Sequence, residues 1–255
     1  MLLMKTVSYE PHIITYLDIL GFQEIIATKS AGFVSRLIRI VQTATRSDGW
    51  TTKGEGIRYQ NFSDLCVTAT PIRGRTQPHQ SRGLFFLELL GMVHAQVDLI
   101  AQEVFVRGGI TIGPLVMSYN VLYGPGLVKA YHLEQGAMYP RVVVDPDALE
   151  LVKNDPIFWV NDQKSEIKGL QSLLRTEDGV SYVDYLRASE SEFNHPEADY
   201  FDFLKRHKEL IESNLRKYSD NARIRKKYEW LAHSHNTVVN ERVKPEFRGE
   251  FMLPG

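Results

Sequence analysis

The chain has 255 residues, 43% apolar and 24% charged, a balance that excludes disordered and fibrous proteins and allows a single domain with a substantial core. Its 30 Lys and Arg face 31 Asp and Glu, so the formal net charge of −1 gives no global attraction to nucleic acid or an anionic membrane. The single cysteine, Cys66, rules out an intrachain disulfide and a thiolate metal cluster. No apolar run reaches the length that spans a bilayer, and residues 1–10 lack a signal-peptide pattern, so a cytoplasmic enzyme or regulator without a membrane partner is expected.

Residues 12–20 read as a first strand, apolar almost throughout, as in a central strand covered on both faces. Gly21 lets the chain turn tightly. Phe22, Ile25, Ile26, Phe33, Leu37, Ile40 and Val41 then recur at helical spacing to about Thr45, with Gly32 as the interruption. Residues 57–59 and 65–70 form a strand pair around a bend at Ser63-Asp64. Residues 84–103 form a helix, 104–112 a strand with a turn region at Gly113, 124–139 a second helix and 142–144 a further strand. The last third carries two charged amphipathic helices, 201–218 and 222–236. This order predicts an α/β (α+β) sandwich, with helices packed on one central sheet. The division expected is a domain over 1–190 and a C-terminal helical extension over 191–255, packed on the core or on a partner subunit.

Two acids stand in apolar strand contexts, Asp18 in Tyr16-Leu17-Asp18-Ile19-Leu20-Gly21-Phe22 and Asp64 in Asn61-Phe62-Ser63-Asp64-Leu65. A charge there is costly unless paired, and two carboxylates that converge are the hard oxygen donors of a magnesium or manganese site. The alternative for each is a cap or a buried hydrogen-bond acceptor. The turn at Gly21 opens a helix whose first amides have no intrahelical partner, a setting that favours phosphate. Arg107, before Gly108-Gly109, has the guanidinium geometry to grip a phosphate or to pair with a core carboxylate.

In combination these segments resemble the class III nucleotidyl cyclases: Asp18-Ile19-Leu20-Gly21-Phe22 the first metal-binding strand, Asp64 the second metal aspartate, and Val106-Arg107-Gly108-Gly109-Ile110 the strand whose arginine contacts the triphosphate. Tyr123-Gly124-Pro125-Gly126 is similar to the opening of the catalytic helix. The likeness covers roughly residues 12–145. Within the family, Arg107–Gly113, 124–131 and 139–145 look like the pyrimidine cyclases of bacterial Pycsar anti-phage systems. The resemblance implies a central, mostly antiparallel sheet flanked by helices and a homodimer. It also implies an active site with two Mg2+ or Mn2+ ions on Asp18, Ile19 and Asp64. The product would be cyclic UMP or cyclic CMP, which activates a separate effector.

On that reading the main chain of Ile19, Leu20, Gly21 and Phe22 holds the β- and γ-phosphates, and Arg107 adds charge. The family's transition-state Asn and Arg are replaced by Val128 and His132, and its purine-selecting carboxylate by Val121. Gln60 is left to address a pyrimidine edge, and Tyr59 either stacks on the base or packs in the core. Lys129, His132 and Arg141 are the candidate replacement cations, each weighed against surface or structural pairing. Two other readings stay open: a catalytically silent nucleotide-binding domain, or a cyclase acting on a purine triphosphate. Nucleic-acid binding through Arg73, Arg75, Arg82 or the 223–227 basic run ranks behind a solvated face, so no stable nucleic-acid partner is expected.

Overall fold

The computed structural model describes residues 7–44, 58–62, 65–72, 83–118 and 121–254. In chain order the strands are β1 (Glu10–Ile19), β2 (Arg58–Phe62), β3 (Leu65–Pro71), β4 (Val106–Ser118), β5 (Val121–Tyr123), β6 (Val142–Val144), β7 (Leu174–Glu177) and β8 (Val180–Val183). The helices are α1 (Phe22–Thr28), α2 (Ala31–Ala44), α3 (Leu84–Ile100), α4 (Pro125–Gly136), α5 (Pro146–Asn154), α6 (Gln163–Leu173), α7 (Tyr185–Ala188), α8 (Phe201–Lys217), α9 (Ala222–Arg242) and α10 (Arg248–Phe251).

Seven strands form one sheet in the order β2-β3-β1-β4-β6-β8-β7, and β5 folds back on the end of β4. Among the described strands only β4 and β6 pair in parallel. The expected class, a mostly antiparallel sheet flanked by helices with further helices at the C-terminal end, is therefore what the chain adopts. β1 lies between β3 and β4 and reads as a continuous apolar run because both of its faces are covered. Ile13, Leu17 and Ile19 enter the larger core beneath α3. Ile14 and Tyr16 face the other way, joining Val67, Ala69, Leu115 and Ala130 under α4. The two faces meet at Asp18, where the strand is about to end.

Several boundaries differ from the sequence reading. The helical stretch after Gly21 breaks at Lys29-Ser30, not at Gly32: Lys29 is extended, and the Ser30 hydroxyl accepts from the Phe33 amide (3.3 Å), capping α2. β4 does not turn at Gly113 but runs on to Ser118. That glycine instead permits close approach, since a Cβ there would lie 2.7 Å from the Cα of Gly126 in α4. The elements between β6 and α8 have clear caps that the pattern reading passed over. Asp145 accepts from the Asp147 amide at the start of α5 (3.1 Å), and Asp162 accepts from that of Ser165 at the start of α6 (2.9 Å). The expected bend at Ser63-Asp64 lies outside the described residues.

The C-terminal helices share the larger core through Leu204, Ile211, Leu231, Val238 and Val239. A buried polar chain stitches them together. Tyr185 Oη lies 2.8 Å from His207 Nε2, His207 Nδ1 lies 3.0 Å from His235 Nδ1, and His235 Nε2 lies 3.0 Å from the Phe251 carbonyl. A carbonyl only accepts, so the His235 proton sits on Nε2 and its Nδ1 accepts from His207. The His207 Nε2 then accepts from the tyrosine hydroxyl. Burial pushes both imidazoles down, His207 well below the ordinary range and His235 to about 4.

Candidate functional site

The end of β1 brings Asp18 directly opposite Arg107 on β4. Arg107 Nη2 lies 3.2 Å from Asp18 Oδ2, and the same nitrogen pairs with Glu134 of α4. Asp18 and Arg107 keep about a fifth of their side-chain surface, 22% and 19%, whereas Glu134 keeps 1%. A carboxylate that deep needs its cation, because removing one partner strands a buried charge. Gly109 makes the meeting possible: a Cβ there would lie 2.6 Å from the Ala130 carbonyl and 2.6 Å from Leu133 Cβ. Without a side chain at that position α4 lies directly on β4, and Glu134 reaches Arg107. Arg107 Nε is buried and has no acceptor among the described residues. The guanidinium is thus held by two carboxylates through Nη2, with the buried Nε–H left uncommitted among the described residues.

Gly21 follows with φ 72°, the left-handed conformation that favours glycine, and caps α1 without a side-chain hydrogen bond. The Leu20 amide donates to the Phe105 carbonyl (3.0 Å), which removes it from the expected phosphate nest. The amides of Glu24 and Ile25 both turn back to the Gly21 carbonyl at 3.0 Å. Those of Phe22 and Gln23, at the first helical positions, are the ones helix geometry leaves unpaired. Of the expected segment 19–22, the Leu20 amide is thus committed to the sheet, and that of Phe22 stands at the helix start.

The other predicted residues scatter. Lys129 is 2.6 Å from both Asp145 and Asp147, and Asp145 also accepts from Thr111. At roughly 3.3 Å per residue, Thr111 lies about 13 Å along β4 from Arg107. Burial pulls against its charge, but the hydrogen bonds to Asp145 and Asp147 hold the Lys129 ammonium above its ordinary range. This lysine ties α4 to the cap of α5. His132 is exposed on the outer surface of α4, its ring 5.4 Å from that of Tyr131. Neither residue touches Asp18 or Arg107.

Arg141 stands beside Arg107 in the parallel register, one step before the Gly108–Val142 pair. Its guanidinium lies in an aromatic box, 5.6 Å from the Tyr139 ring, 5.2 Å from Tyr182 and 5.6 Å from Trp230. β2 sets Tyr59 opposite Thr68 and Gln60 opposite Val67. Asp64 lies outside the described residues.

Two charged residues at this end of the sheet escaped the sequence reading. Glu134 was legible in principle: Gly126, Ala130 and Glu134 recur every four residues, a small-residue stripe that puts the acid on the buried side of α4. Lys227 had no such signal. It belongs to the basic run of α9, read as a solvated face, yet the charges acting on it are those of Arg107, Asp18, Arg223 and Glu134.

Asp18 and the Ile19 carbonyl offer oxygen donors only, the chemistry that a hard divalent cation takes, and the strand end leaves the carboxylate partly open. Among the described residues no group of three or more His, Cys, Asp or Glu side chains gathers as a metal site. Asp64, expected as the second carboxylate, lies outside the described residues. Among the described residues, no helix is long and apolar enough to cross a membrane.

No protein-family model matches the chain, and no curated protein matches it. Among solved structures, it is similar to the adenylyl cyclase CyaB from P. aeruginosa, at 13% identity and a TM-score of 0.40 over 59% of this chain and 84% of the other. It is also similar to the guanylate cyclase domain of RhGC from Catenaria anguillulae in complex with GTP, at 15% identity and a TM-score of 0.38 over 58% and 84%. A third similar structure is a class III adenylyl cyclase-like ATP-binding protein from Pseudomonas aeruginosa, at 11% identity and a TM-score of 0.36 over 64% and 40%.

Proposed function

We propose that the chain is a nucleotidyl cyclase that converts UTP or CTP to the 3′,5′-cyclic mononucleotide with release of pyrophosphate. The observation that carries this reading is the triad at the end of β1: Asp18 before a left-handed Gly21, with Arg107 drawn against it from β4. The sequence likeness to class III cyclases supplies the reaction, attack of the ribose 3′-oxygen on the α-phosphorus.

Asp18, the Ile19 carbonyl and Asp64 would hold the divalent ions, which lower the hydroxyl pKa and neutralise the leaving pyrophosphate. Arg107 places its unpaired Nε–H beside that site, and the Phe22 and Gln23 amides add donors without charge. Glu134 keeps the guanidinium from collapsing wholly onto Asp18, since it draws the same nitrogen toward α4. Gln60 carries the pyrimidine assignment, because its amide turns to meet either a uracil or a cytosine edge. Val128 and Tyr131 on α4, Val121 and Tyr123 on β5, and Tyr9, edge-on to Tyr123, are large apolar side chains exposed at 41–55%. Such a patch favours a homodimer formed over α4. The Pycsar likeness assigns the product a separate effector in anti-phage defence.

Purified protein incubated with ATP, GTP, CTP and UTP and manganese, each alone and then in equal mixture, tests the reading by mass spectrometry of products. A cyclic pyrimidine nucleotide is expected, lost about 100-fold or more in Asp18→Asn, since that carboxylate serves charge developing in the transition state. Predominant cyclic AMP overturns the pyrimidine assignment. No cyclic product from any triphosphate, despite nucleotide binding, overturns the enzyme.

A further inference from the structure

The first half of α9 is fastened across the end of the sheet where Asp18 and Arg107 emerge. Tyr228 packs edge-on to Phe105 (centroids 5.9 Å), the residue whose carbonyl holds the Leu20 amide. Trp230 stacks flat on Tyr139 (5.2 Å, 7°) and meets Tyr182 edge-on, which encloses Arg141. At the other end of the α8–α9 connection, Lys217 pairs with Glu24 of α1, and Tyr218 donates to the same carboxylate at 2.9 Å. The end of α8 is thus held to the element after Gly21, and α9, just past Lys227, to Phe105, Tyr139 and Tyr182.

Lys227 is half-buried on that pinned segment and makes no ion pair with any described residue. Burial first, then Arg107 and Arg223, hold its ammonium below the ordinary range, while Asp18 and Glu134 pull the other way and do not prevail. Lys227 is thus a half-buried cation without an ion-pair partner of its own among the described residues. Arg107 adds a separate, geometric observation, a buried Nε–H without an acceptor among the described residues. A half-buried lysine beside Tyr228, which packs on Phe105 two residues before an orphaned guanidinium donor, makes a setting that a multiply charged oxyanion completes.

We propose that Lys227 is a phosphate-binding residue of the Asp18 site, brought by the C-terminal helix of the same chain to neutralise the polyphosphate of the substrate together with Arg107. This rests on the nucleotide reading above but not on cyclisation. It makes α8 and α9 part of the site instead of a cover over the core. It also supplies a cation that neither Lys129, tied to Asp145 and Asp147, nor Arg141, enclosed by three rings, is placed to give.

Calorimetric binding of inorganic triphosphate to the full chain, without divalent metal, tests the proposal in wild type, Lys227→Met, Lys227→Arg and Lys226→Met. Lys227→Met should bind about tenfold more weakly, the loss of one charge-assisted contact. Lys227→Arg, which keeps the charge, and Lys226→Met, which changes the exposed neighbour, should both bind within about twofold of wild type. Equal affinity of wild type and Lys227→Met overturns the proposal, as does absence of binding in wild type. Protection of Lys227 from amine acetylation by triphosphate, read on the wild-type protein by peptide mass spectrometry, keeps the test decisive if a variant fails to fold. Reactivity unchanged by triphosphate overturns it. Triphosphate binding that depends on Lys227 in a protein that makes no cyclic nucleotide would uphold this site and refute the cyclase.

Discussion

Acidification should loosen the C-terminal helices before the rest of the molecule, because His207 and His235 form a buried chain in which a charged ring is penalised. Every ring nitrogen in the chain is committed: Nε2 of His235 donates to the Phe251 carbonyl, and the two Nδ1 atoms share one proton across 3.0 Å. A further proton on His235 would set two N–H groups against each other across the Nδ1 pair, and one on His207 would turn the Tyr185 hydroxyl from donor to acceptor and bury a charge. The sign follows from where protons go. In the unfolded chain a histidine takes up its proton near 6.5, whereas folded His235 holds out to about 4, so between those values the unfolded state binds more protons. Stability from this group is present in full above pH 6.5 and is lost as pH falls through about 4.

A depression from 6.5 to about 4 corresponds to about 3 kcal/mol for His235, at up to about 1.4 kcal/mol per pH unit. His207 acts in the same direction. Against a total stability of about 5–15 kcal/mol for a domain, that is a large share. Urea unfolding followed by tryptophan fluorescence, from pH 7.5 to 5, is the assay; Trp230 on α9 reports the affected region. The urea midpoint should fall steadily below pH 6.5. His235→Gln, whose amide can accept from His207 and donate to the Phe251 carbonyl, should flatten the slope by about one proton. A wild-type midpoint constant from pH 7.5 to 5, or an unchanged slope in the variant, would show that the two rings do not titrate as the chain requires.

Glu88 gives the opposite pH dependence. It is buried beneath the sheet, where Thr15 and Thr68 donate to it, and burial pushes its carboxyl up despite those bonds. Its contribution is complete below the ordinary carboxylate value and falls as pH rises through the elevated one, so Glu88→Gln should match or exceed wild type in urea midpoint at pH 8. Glu88→Leu, which orphans both hydroxyls, should cost about 1–3 kcal/mol in the same assay, and a Gln variant as unstable as the Leu one would contradict a neutral role. Gly109→Ala should destabilise by about 1–3 kcal/mol in urea unfolding, because its Cβ would press on the α4 backbone at 2.6 Å. It should also reduce nucleotide turnover by displacing Glu134 from Arg107, so full activity in that variant would uncouple the seating of α4 from the site.

What the sequence made legible was local and periodic. Asp18, the turn at Gly21 and the Arg107-Gly108-Gly109 strand could be read because each departs from a simple pattern: a charge in an apolar run, a positive φ, a side-chain gap. β1 as a central strand followed from its continuous apolar character alone. Lys129 could not be placed, because its two carboxylates come from the cap of a helix sixteen or more residues on. Arg141 could not be placed either, since Trp230 and Tyr182 reach it only through the tertiary fold. The break at Ser30 was available as a capping signal, but Gly32 drew attention from it.

The hardest residue to foresee, Lys227, shows why the limit falls where it does. Charge on an amphipathic helix is by default solvated, and nothing in the run Arg223-Ile224-Arg225-Lys226-Lys227 separates its members. Arg225 meets Glu229 one turn on, an ordinary exposed pair, while Lys227 two residues away is half-buried and within the field of Arg107 and Asp18. The difference arises from the rotation of α9 about its axis, which Tyr228 and Leu231 fix by entering the core. With those two anchors buried, the roughly 100° step per residue that separates neighbours on a helix leaves Lys226 in solvent and carries Lys227 to the sheet end. The apolar anchors of a C-terminal helix thus decide which of its cations faces the acid of the first strand, and that choice is made by packing, more than 200 residues away from Asp18 in the chain.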